Sequence, residues 1–473
     1  MADFSFDVVV IGGGAAGLTS SIWSAQLGSK TLLIEKEEKL GGDCLHYGCI
    51  PSKSLIKSAN VYHLMKQAQQ YGLPKVPIEP VDFSKVRDRI QSIIAGIQRH
   101  DSPEAFKKQY NIETRFGSPR FLDSRTLECN GAKITVKKII LATGSSARIL
   151  PIEGLKDVPF ITNVEIFSLD KLPTSLIVLG GGPIGIEMAQ SFSRLGSKVT
   201  VIEFADCILP KEDPDVSCYV HELLAKEGIE FFVQAQAKKV CQAGEQIEVT
   251  MDYQGNMKTV SAQSLLVATG RQSNVAGLDL EKAGVQYTPQ GITVNQHLQT
   301  TAKNIYACGD CKGGFLFTHV AEYDARIAAL NAKLPWPLLK TDYATVPWCT
   351  FTDPEVASVG FNETMAKKAG IQYKVYQYDF AHLDRALAEG APQGFIKLLT
   401  DAKRKIIGAQ IVGLHAGELI HEWVAAIHAK VDIGKIEKAM HVYPTLAQIN
   451  KKVSGTYLAA QSPLIKIATY LLK

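Results

Sequence analysis

Cys44 and Cys49 stand five positions apart in Gly41-Gly-Asp-Cys44-Leu-His-Tyr-Gly-Cys49-Ile-Pro-Ser-Lys53. The chain has nine cysteines, scattered through 473 residues. That is no disulfide framework of a small secreted domain, so a close pair is more readily catalytic than structural. In an ideal helix, residues five apart have Cα atoms about 8–9 Å apart, whereas a disulfide requires about 4.4–6.8 Å. If the two cysteines pair, the start of that helix must be distorted, and Gly48 permits the distortion. A strained, accessible pair of this kind is redox-active. Two free buried thiols are the plain alternative.

The elements that must position this pair come just before it. Residues 7–11, Asp-Val-Val-Val-Ile, read as a buried parallel strand. Gly12-Gly13-Gly14-Ala15-Ala16-Gly17 follows, then a helix over Leu18 to Leu27 and a second strand over Lys30 to Ile34 that ends at Glu35. Gly12 makes the tight turn, Gly14 admits a pyrophosphate to the backbone, Gly17 lets helix pack on strand, and Glu35 accepts from a ribose. The pattern recurs 168 residues later. Strand Ser175–Leu179 precedes Gly180, Gly182 and Gly185, a helix runs from about Ile186 to Leu195, and strand Lys198 to Ile202 ends at Glu203. Two complete dinucleotide sites imply two nucleotides bound together, and a flavin plus a nicotinamide is the economical pair because electrons can pass between them.

Two further turns fit this division. Ile139-Ile-Leu-Ala-Thr143-Gly144-Ser145 and Ser264-Leu-Leu-Val-Ala-Thr-Gly270 return the chain at the end of each nucleotide unit, and Asn304-Ile-Tyr-Ala-Cys-Gly-Asp310 is another strand ending in Gly-Asp. Shorter alternating strands follow Pro347, over Lys374 to Phe380, Gly394 to Leu399 and Lys405 to Val412. The expected fold is therefore α/β, with two Rossmann-like dinucleotide-binding domains and a C-terminal α+β dimerisation domain. The expected boundaries are 1–150 for the FAD domain, 151–275 for the NAD domain, 276–345 for a central domain completing the FAD site, and 346–473 for the interface domain. Hydrophobic residues are 46% and charged residues 21%, with a formal net charge of +4. These values exclude a disordered chain, and the apolar runs are too short for a bilayer span. No concentrated basic stripe argues for nucleic-acid binding. Met1 to Asp7 lacks the basic region and cleavage site of a signal peptide, so a reducing, cytoplasmic setting is expected.

With these motifs in place, the chain resembles the class I pyridine nucleotide–disulfide oxidoreductases, which include dihydrolipoamide dehydrogenase, glutathione reductase and mercuric reductase. G-G-x-C-x4-C-I-P-S-K is among the most specific signatures of flavoenzymes, and the resemblance runs over essentially the whole chain. It implies a homodimer that uses FAD and a nicotinamide cofactor, with the active site shared across subunits. It implies Cys44 as the interchange thiol and Cys49 as the thiolate against the flavin. Lys53 would lie near flavin N5 and pair with Glu187, an ammonium there serving to stabilise the reduced flavin and the thiolate. Asp310 would bind the ribityl chain, the backbone near His319 would meet the pyrimidine edge, and Gly42, Thr143, Gly144 and Gly270 are further cofactor contacts. Glu203 accepts from a ribose 2′-hydroxyl and repels a 2′-phosphate, and Phe204-Ala-Asp-Cys after it lacks arginines, so NADH is expected over NADPH.

The sequence departs from its relatives at the acceptor end. The family's H-P-x-x-x-x-E element reads His441-Val-Tyr443-Pro-Thr-Leu-Ala-Gln448 here. Tyr443 replaces the base and Gln448 its carboxylate partner, and a phenol with a pKa near 10 is a poor base at neutral pH. His441 as a substitute base is the alternative to a packing histidine. Mercuric reductase needs no such base, although neither its C-terminal cysteine pair, where this sequence reads Ala-Thr-Tyr-Leu-Leu-Lys473, nor its metal-binding N-terminal module is expected here. The expected function is a mercuric-reductase-like NADH:disulfide/dithiol oxidoreductase whose acceptor is a soft metal ion, a disulfide or a quinone. A true dihydrolipoamide dehydrogenase of a 2-oxo acid dehydrogenase complex is the first rival. A flavoprotein scaffold with vestigial chemistry is the second, and the retention of Cys44, Cys49, Lys53 and Glu187 argues against it. Asp43 replaces a threonine common in the motif, and its side chain is expected to turn away from the pyrophosphate. Cys308-Gly-Asp-Cys311 has C-x-x-C spacing without a second pair to complete a zinc site; the cysteines read as small strand-end residues, no metal site is expected, and a second redox pair or soft-metal site is the alternative. Cys129, Cys207, Cys218, Cys241 and Cys349 read as packing. The tail from Pro463 to Lys473 is expected to cover the dimer rather than touch a membrane.

Overall fold

The computed structural model describes residues 4–461, so the expected role of the 463–473 tail lies outside the described residues. The first sheet is built around Phe6–Ile11, flanked by Thr31–Glu35 on one side and Ala132–Leu141 on the other, all parallel. Glu113–Phe116 extends one edge and Ile305–Ala307 pairs with Ala132–Leu141. Val9, Ile11, Leu32 and Ile34 pack into a core on one face, while Val8, Val10 and Leu33 pack into a core on the other. Burial on both faces is why these strands are continuously apolar. The helix after the first glycine turn spans Ala15–Gln26, starting three residues before the sequence-based expectation. The glycine turn itself supplies its first turn.

The second nucleotide unit has the parallel order Glu230–Phe232, Lys198–Ile202, Ser175–Leu179 and Ser264–Val267. Its helix spans Pro183–Leu195, with Pro183 at the start, where a missing N–H costs nothing. Between its last two strands the chain inserts a three-stranded antiparallel sheet over Ala235–Ala243, Gln246–Tyr253 and Asn256–Ala262. The two Ala-Thr-Gly turns lead into Ser145–Ala147 and Arg271–Ser273, which pair antiparallel and tie the two units together.

The C-terminal unit is a five-stranded sheet in the order Pro347–Thr350, Glu355–Gly360, Ile406–Gly413, Phe395–Thr400 and Lys374–Asp379. Trp423, Ile449 and Val453 cover one face of it. Buried polar groups hold this unit on the second nucleotide unit. The Glu212 carboxylate accepts from Trp348 Nε1, Ser358 Oγ and Gln410 Nε2. Lys397, 1% exposed, is paired with Asp213, Asp215 and Glu363. The Glu212–Trp348 bond anchors the segment whose Phe351 N–H donates to Glu187. Among the described residues no helix is long and apolar enough to cross a membrane.

Candidate active site

The chain around the cysteine pair is two helices, Gly42–His46 and Cys49–Lys66, separated at Tyr47 and Gly48. The break falls where a pairing of Cys44 with Cys49 requires it. Gly48 has φ −129° and ψ −110°, outside helical geometry. Both cysteines are free thiols here, Cys44 half-buried and Cys49 exposed. Thr318, the first residue of the helix Thr318–Lys333, brings its Oγ1 to 3.4 Å from Cys49 Sγ. The Cys49 pKa is lowered to about 6, first by the hydrogen bond from Cys44 and then by the Thr318 hydroxyl and the Lys53 charge, with burial and Asp43 opposing. The Cys44 thiol is pushed up by that same hydrogen bond, by burial and by the charge on Cys49. The two shifts run in opposite directions, favouring the charged form at Cys49 and the protonated form at Cys44.

Lys53 lies one helical turn after Cys49, and the helix carrying both packs on the helix Pro183–Leu195. That contact brings Lys53 Nζ to 2.9 Å from Glu187 Oε2. Glu187 is held in turn by the Phe351 N–H, 2.9 Å from Oε1, and the Lys53 ammonium sits 4.1 Å from the centre of the Phe351 ring. The Glu187 side chain is 6% exposed and that of Lys53 37%, so the pair is anchored at the carboxylate and open at the ammonium.

The first glycine turn is shaped for a dinucleotide. Gly12 has φ +108°, and a Cβ on Gly17 would fall 1.6 Å from Gly12 O. A Cβ on Gly42 would lie 2.6 Å from Gly14 Cα, so the motif Gly41-Gly42 closes directly over the turn. Glu35 Oε2 accepts from Gly13 N–H at 2.5 Å and Oε1 from Glu37 N–H at 2.8 Å, leaving lone pairs for ribose hydroxyls. The second turn repeats this arrangement. Glu203 Oε2 accepts from Gly181 N–H at 2.5 Å and Oε1 from Ala205 N–H at 2.6 Å. A Cβ on Gly185 would fall 2.0 Å from Gly180 O, while the space in front of Gly182 is open for 4 Å. The donor set and the open cradle fit FAD at the first turn and a nicotinamide dinucleotide at the second.

Thr143 and Asn274 exchange hydrogen bonds, Thr143 Oγ1 donating to Asn274 O and Asn274 Nδ2 to Thr143 O. Gly144 and Gly270 have positive φ and open space where a side chain would be. Asp310 Oδ2 accepts from Ser145 Oγ at 2.6 Å, and burial raises the Asp310 pKa. The His319 ring stacks on Phe317 and its Nε2 lies 2.9 Å from Pro347 O, so the side chain faces the C-terminal unit.

The acceptor-end residues make their side-chain hydrogen bonds within the C-terminal unit. Tyr443 is 68% exposed, and its hydroxyl donates to Asp384 Oδ2 at 3.1 Å, which raises its pKa. Gln448 Nε2 donates to the carbonyls of His441 and Val442 at 2.7 and 3.3 Å. His441 turns inward: Nε2 lies 3.0 Å from Glu422 Oε1 and Nδ1 3.2 Å from Ala439 O.

Several neighbours escape a reading of local sequence. Thr318 at Cys49, Phe351 at Lys53 and Arg271 at Asp43 come from segments far along the chain, and only Arg271 carries a signal, as the residue after an Ala-Thr-Gly turn. Asp43 accepts from Asn163 Nδ2 at 3.0 Å and pairs with Arg271 at 3.2 Å. Cys308 and Cys311 are buried, and both thiols donate to Leu141 O. Cys349 is half-buried near the Lys53–Glu187 pair, and burial followed by Glu355 and Glu187 pushes its thiol up.

The pyridine nucleotide-disulphide oxidoreductase family matches residues 6–325, and its dimerisation domain matches residues 346–453. A dihydrolipoyl dehydrogenase of Bacillus subtilis (strain 168) is 36% identical, covering 94% of this chain and 96% of the relative. A mercuric reductase of Bacillus cereus is 33% identical, covering 94% of this chain and 70% of the relative. Among solved structures, the HOCl-induced flavoprotein disulfide reductase RclA from Escherichia coli superposes with a TM-score of 0.85 at 27% identity, covering 95% of this chain and 99% of that one. The Cu(II) complex of the same reductase superposes with a TM-score of 0.85 at 26% identity, covering 95% of this chain and 99% of that one. The chain belongs to the FAD-dependent pyridine nucleotide-disulfide oxidoreductases, enzymes that use NAD(P)H and work as homodimers.

Proposed function

We propose that this enzyme passes the electron pair of NADH to an electrophilic acceptor, a soft metal ion, a disulfide or a quinone, in a cytoplasmic setting. FAD, held by the first glycine turn with Glu35 and Asp310, would supply the two-electron relay between NADH and the Cys44–Cys49 disulfide. Reduction of the disulfide gives the Cys49 thiolate and, with one proton, the Cys44 thiol. Lys53 holds the thiolate charged, Glu187 holds Lys53 in place, and the Thr318 hydroxyl donates to the sulfur. Cys44 then meets the acceptor, and its reoxidation to the disulfide returns two electrons. For a divalent soft ion the balance is NADH and M²⁺ to NAD⁺, M⁰ and H⁺. For a one-electron ion such as Cu(II), two ions are consumed per NADH.

The observation that carries this reading is the acceptor end of the chain. Tyr443 is hydrogen-bonded as a donor to Asp384, and the His441 ring is engaged at both nitrogens inside its own domain. Oxidising a dithiol substrate requires a base to take its proton. Reducing a metal ion or a quinone removes no proton from the acceptor. The mercuric reductase relative and the Cu(II) complexes of RclA are in keeping with a metal acceptor. Dihydrolipoamide dehydrogenase is the second reading, favoured by the 36% identity over nearly the full chain. Steady-state NADH oxidation by the purified holoenzyme against Hg(II), Cu(II), quinones and small disulfides, compared with dihydrolipoamide oxidation by NAD⁺, separates the two. The proposal expects the highest kcat/KM with a member of the first group. A higher value for dihydrolipoamide makes the second reading correct.

A further inference from the structure

Asp43 places a carboxylate one residue from Gly42, which lies against the first glycine turn, and Gly41 N–H donates to Gly13 O at 2.8 Å. A dinucleotide pyrophosphate at that turn is an anion, so an unpaired carboxylate there opposes binding. The structure answers the charge with Arg271. Its guanidinium, 13% exposed, lies 3.2 Å from Asp43 Oδ1. Arg271 Nε also donates to Ser145 Oγ and NH2 to Ser145 O, each at 2.8 Å, and Ser145 Oγ in turn donates a hydrogen bond to Asp310 Oδ2 at 2.6 Å. One cation therefore stands between two carboxylates on three separate elements: the redox turn, the ribbon joining the nucleotide units, and the turn Gly309–Lys312. Lys312, the other nearby cation, is paired with the fully buried Asp324 at 3.2 Å. Asn163 completes the clasp. Its Nδ2 donates to Asp43 Oδ1 and to Tyr47 O, at 3.0 and 3.1 Å, and so bridges the break between the helices that carry Cys44 and Cys49.

Resting on the reading of the first glycine turn as the FAD site, we propose that Arg271 is a positioning residue for that site. It pairs with Asp43 so that a carboxylate is tolerated beside the pyrophosphate, and so that the turn carrying Cys44 and Cys49 is pinned to the second nucleotide unit. Arg271 acts through Asp43, and Asp43 is the residue at which this chain departs from the threonine of its relatives' motif. The Asp43 charge also reaches the thiolate, since it raises the Cys49 pKa against the effects that lower it.

The test is a double-mutant cycle with FAD affinity of the reconstituted apoprotein as the first readout. Arg271→Met leaves Asp43 without a counter-charge, held only by Asn163, and is expected to weaken FAD binding by at least about tenfold. Asp43→Thr alone changes it by no more than about threefold, and Asp43→Thr with Arg271→Met recovers most of the loss, because the two residues act as one unit. The second readout is the pH midpoint of the charge-transfer absorbance of the two-electron-reduced holoenzyme. Asp43→Thr lowers the midpoint and Arg271→Met raises it, a pair of opposite shifts that general loosening of the fold does not produce. Asp43→Thr keeps the test decisive if Arg271→Met fails to fold. A double variant as weak in FAD binding as Arg271→Met, or an unchanged midpoint in Asp43→Thr, overturns the proposal. A wild type without bound FAD overturns instead the cofactor reading on which it rests.

Discussion

Lowering the pH of the reduced enzyme should extinguish its thiolate at a midpoint that the surroundings of Cys49 set. With its pKa lowered to about 6, Cys49 should be mostly ionised at pH 7, against about 3% for an ordinary thiol near 8.5. A lowered pKa means that the charged form, and whatever depends on it, is fully present above the ordinary value and is lost as pH falls through about 6. The assay is the long-wavelength charge-transfer absorbance of holoenzyme reduced anaerobically by two electrons, titrated from pH 9 to pH 5. Lys53→Met removes an opposite charge that helps to lower the Cys49 pKa, so its midpoint should rise by about one pH unit or more. Thr318→Val removes a hydrogen bond to the charged form and should also move the midpoint upward, by a similar amount. A wild-type midpoint above 8, or a midpoint indifferent to both substitutions, refutes the assignment of Cys49 as the stabilised thiolate.

Related outcomes follow from the same geometry. Cys49→Ser should abolish the charge-transfer band, whereas Cys44→Ser should show it without added reductant, and absorbance spectra of the two variants distinguish the sulfurs. The enzyme should prefer NADH to NADPH by at least about tenfold in kcat/KM, or roughly 1.4 kcal/mol, because Glu203 is held by two backbone N–H groups at the edge of the second turn. Glu203→Ala should narrow the gap while keeping NADH turnover, and equal kcat/KM in the wild type contradicts the role given to Glu203.

The parts of the site legible in the sequence are those whose physics is local. Gly12, Gly17 and Glu35 lie within one strand–turn–helix–strand unit, so spacing alone predicts their positions, and the break before Cys49 follows from the reach of a disulfide. Lys53 and Glu187 can be named together only through the family resemblance, because two helices far apart in sequence must pack before the pair exists. Thr318 and Phe351 are invisible for the same reason, and Arg271 is marked only by its place after an Ala-Thr-Gly turn. Their side chains matter only after the long-range closure of three sheets. The inserted sheet over residues 235–262 escapes the sequence as well, since its outward strand faces are polar and its pairing is set by register rather than composition. That the Asp43 carboxylate needs a partner near an anion is an expectation of charge alone. Where it goes, onto Arg271 and Asn163, depends on segments more than a hundred residues away.

The central claim, that this enzyme delivers electrons to an electrophile and is poorly equipped to take protons from a dithiol, is tested most directly at Tyr443. General base catalysis is worth about 10²–10⁴-fold, so wild-type dihydrolipoamide oxidation by NAD⁺ should be slow relative to NADH-driven metal or quinone reduction. Tyr443→His with Gln448→Glu rebuilds a base and its orienting carboxylate. That pair should raise the kcat/KM for dihydrolipoamide by at least about tenfold, more than Tyr443→His alone, while metal and quinone reduction change little. A wild type that already oxidises dihydrolipoamide faster than it reduces any electrophile, with that activity lost in His441→Ala, contradicts the account and makes His441 the base.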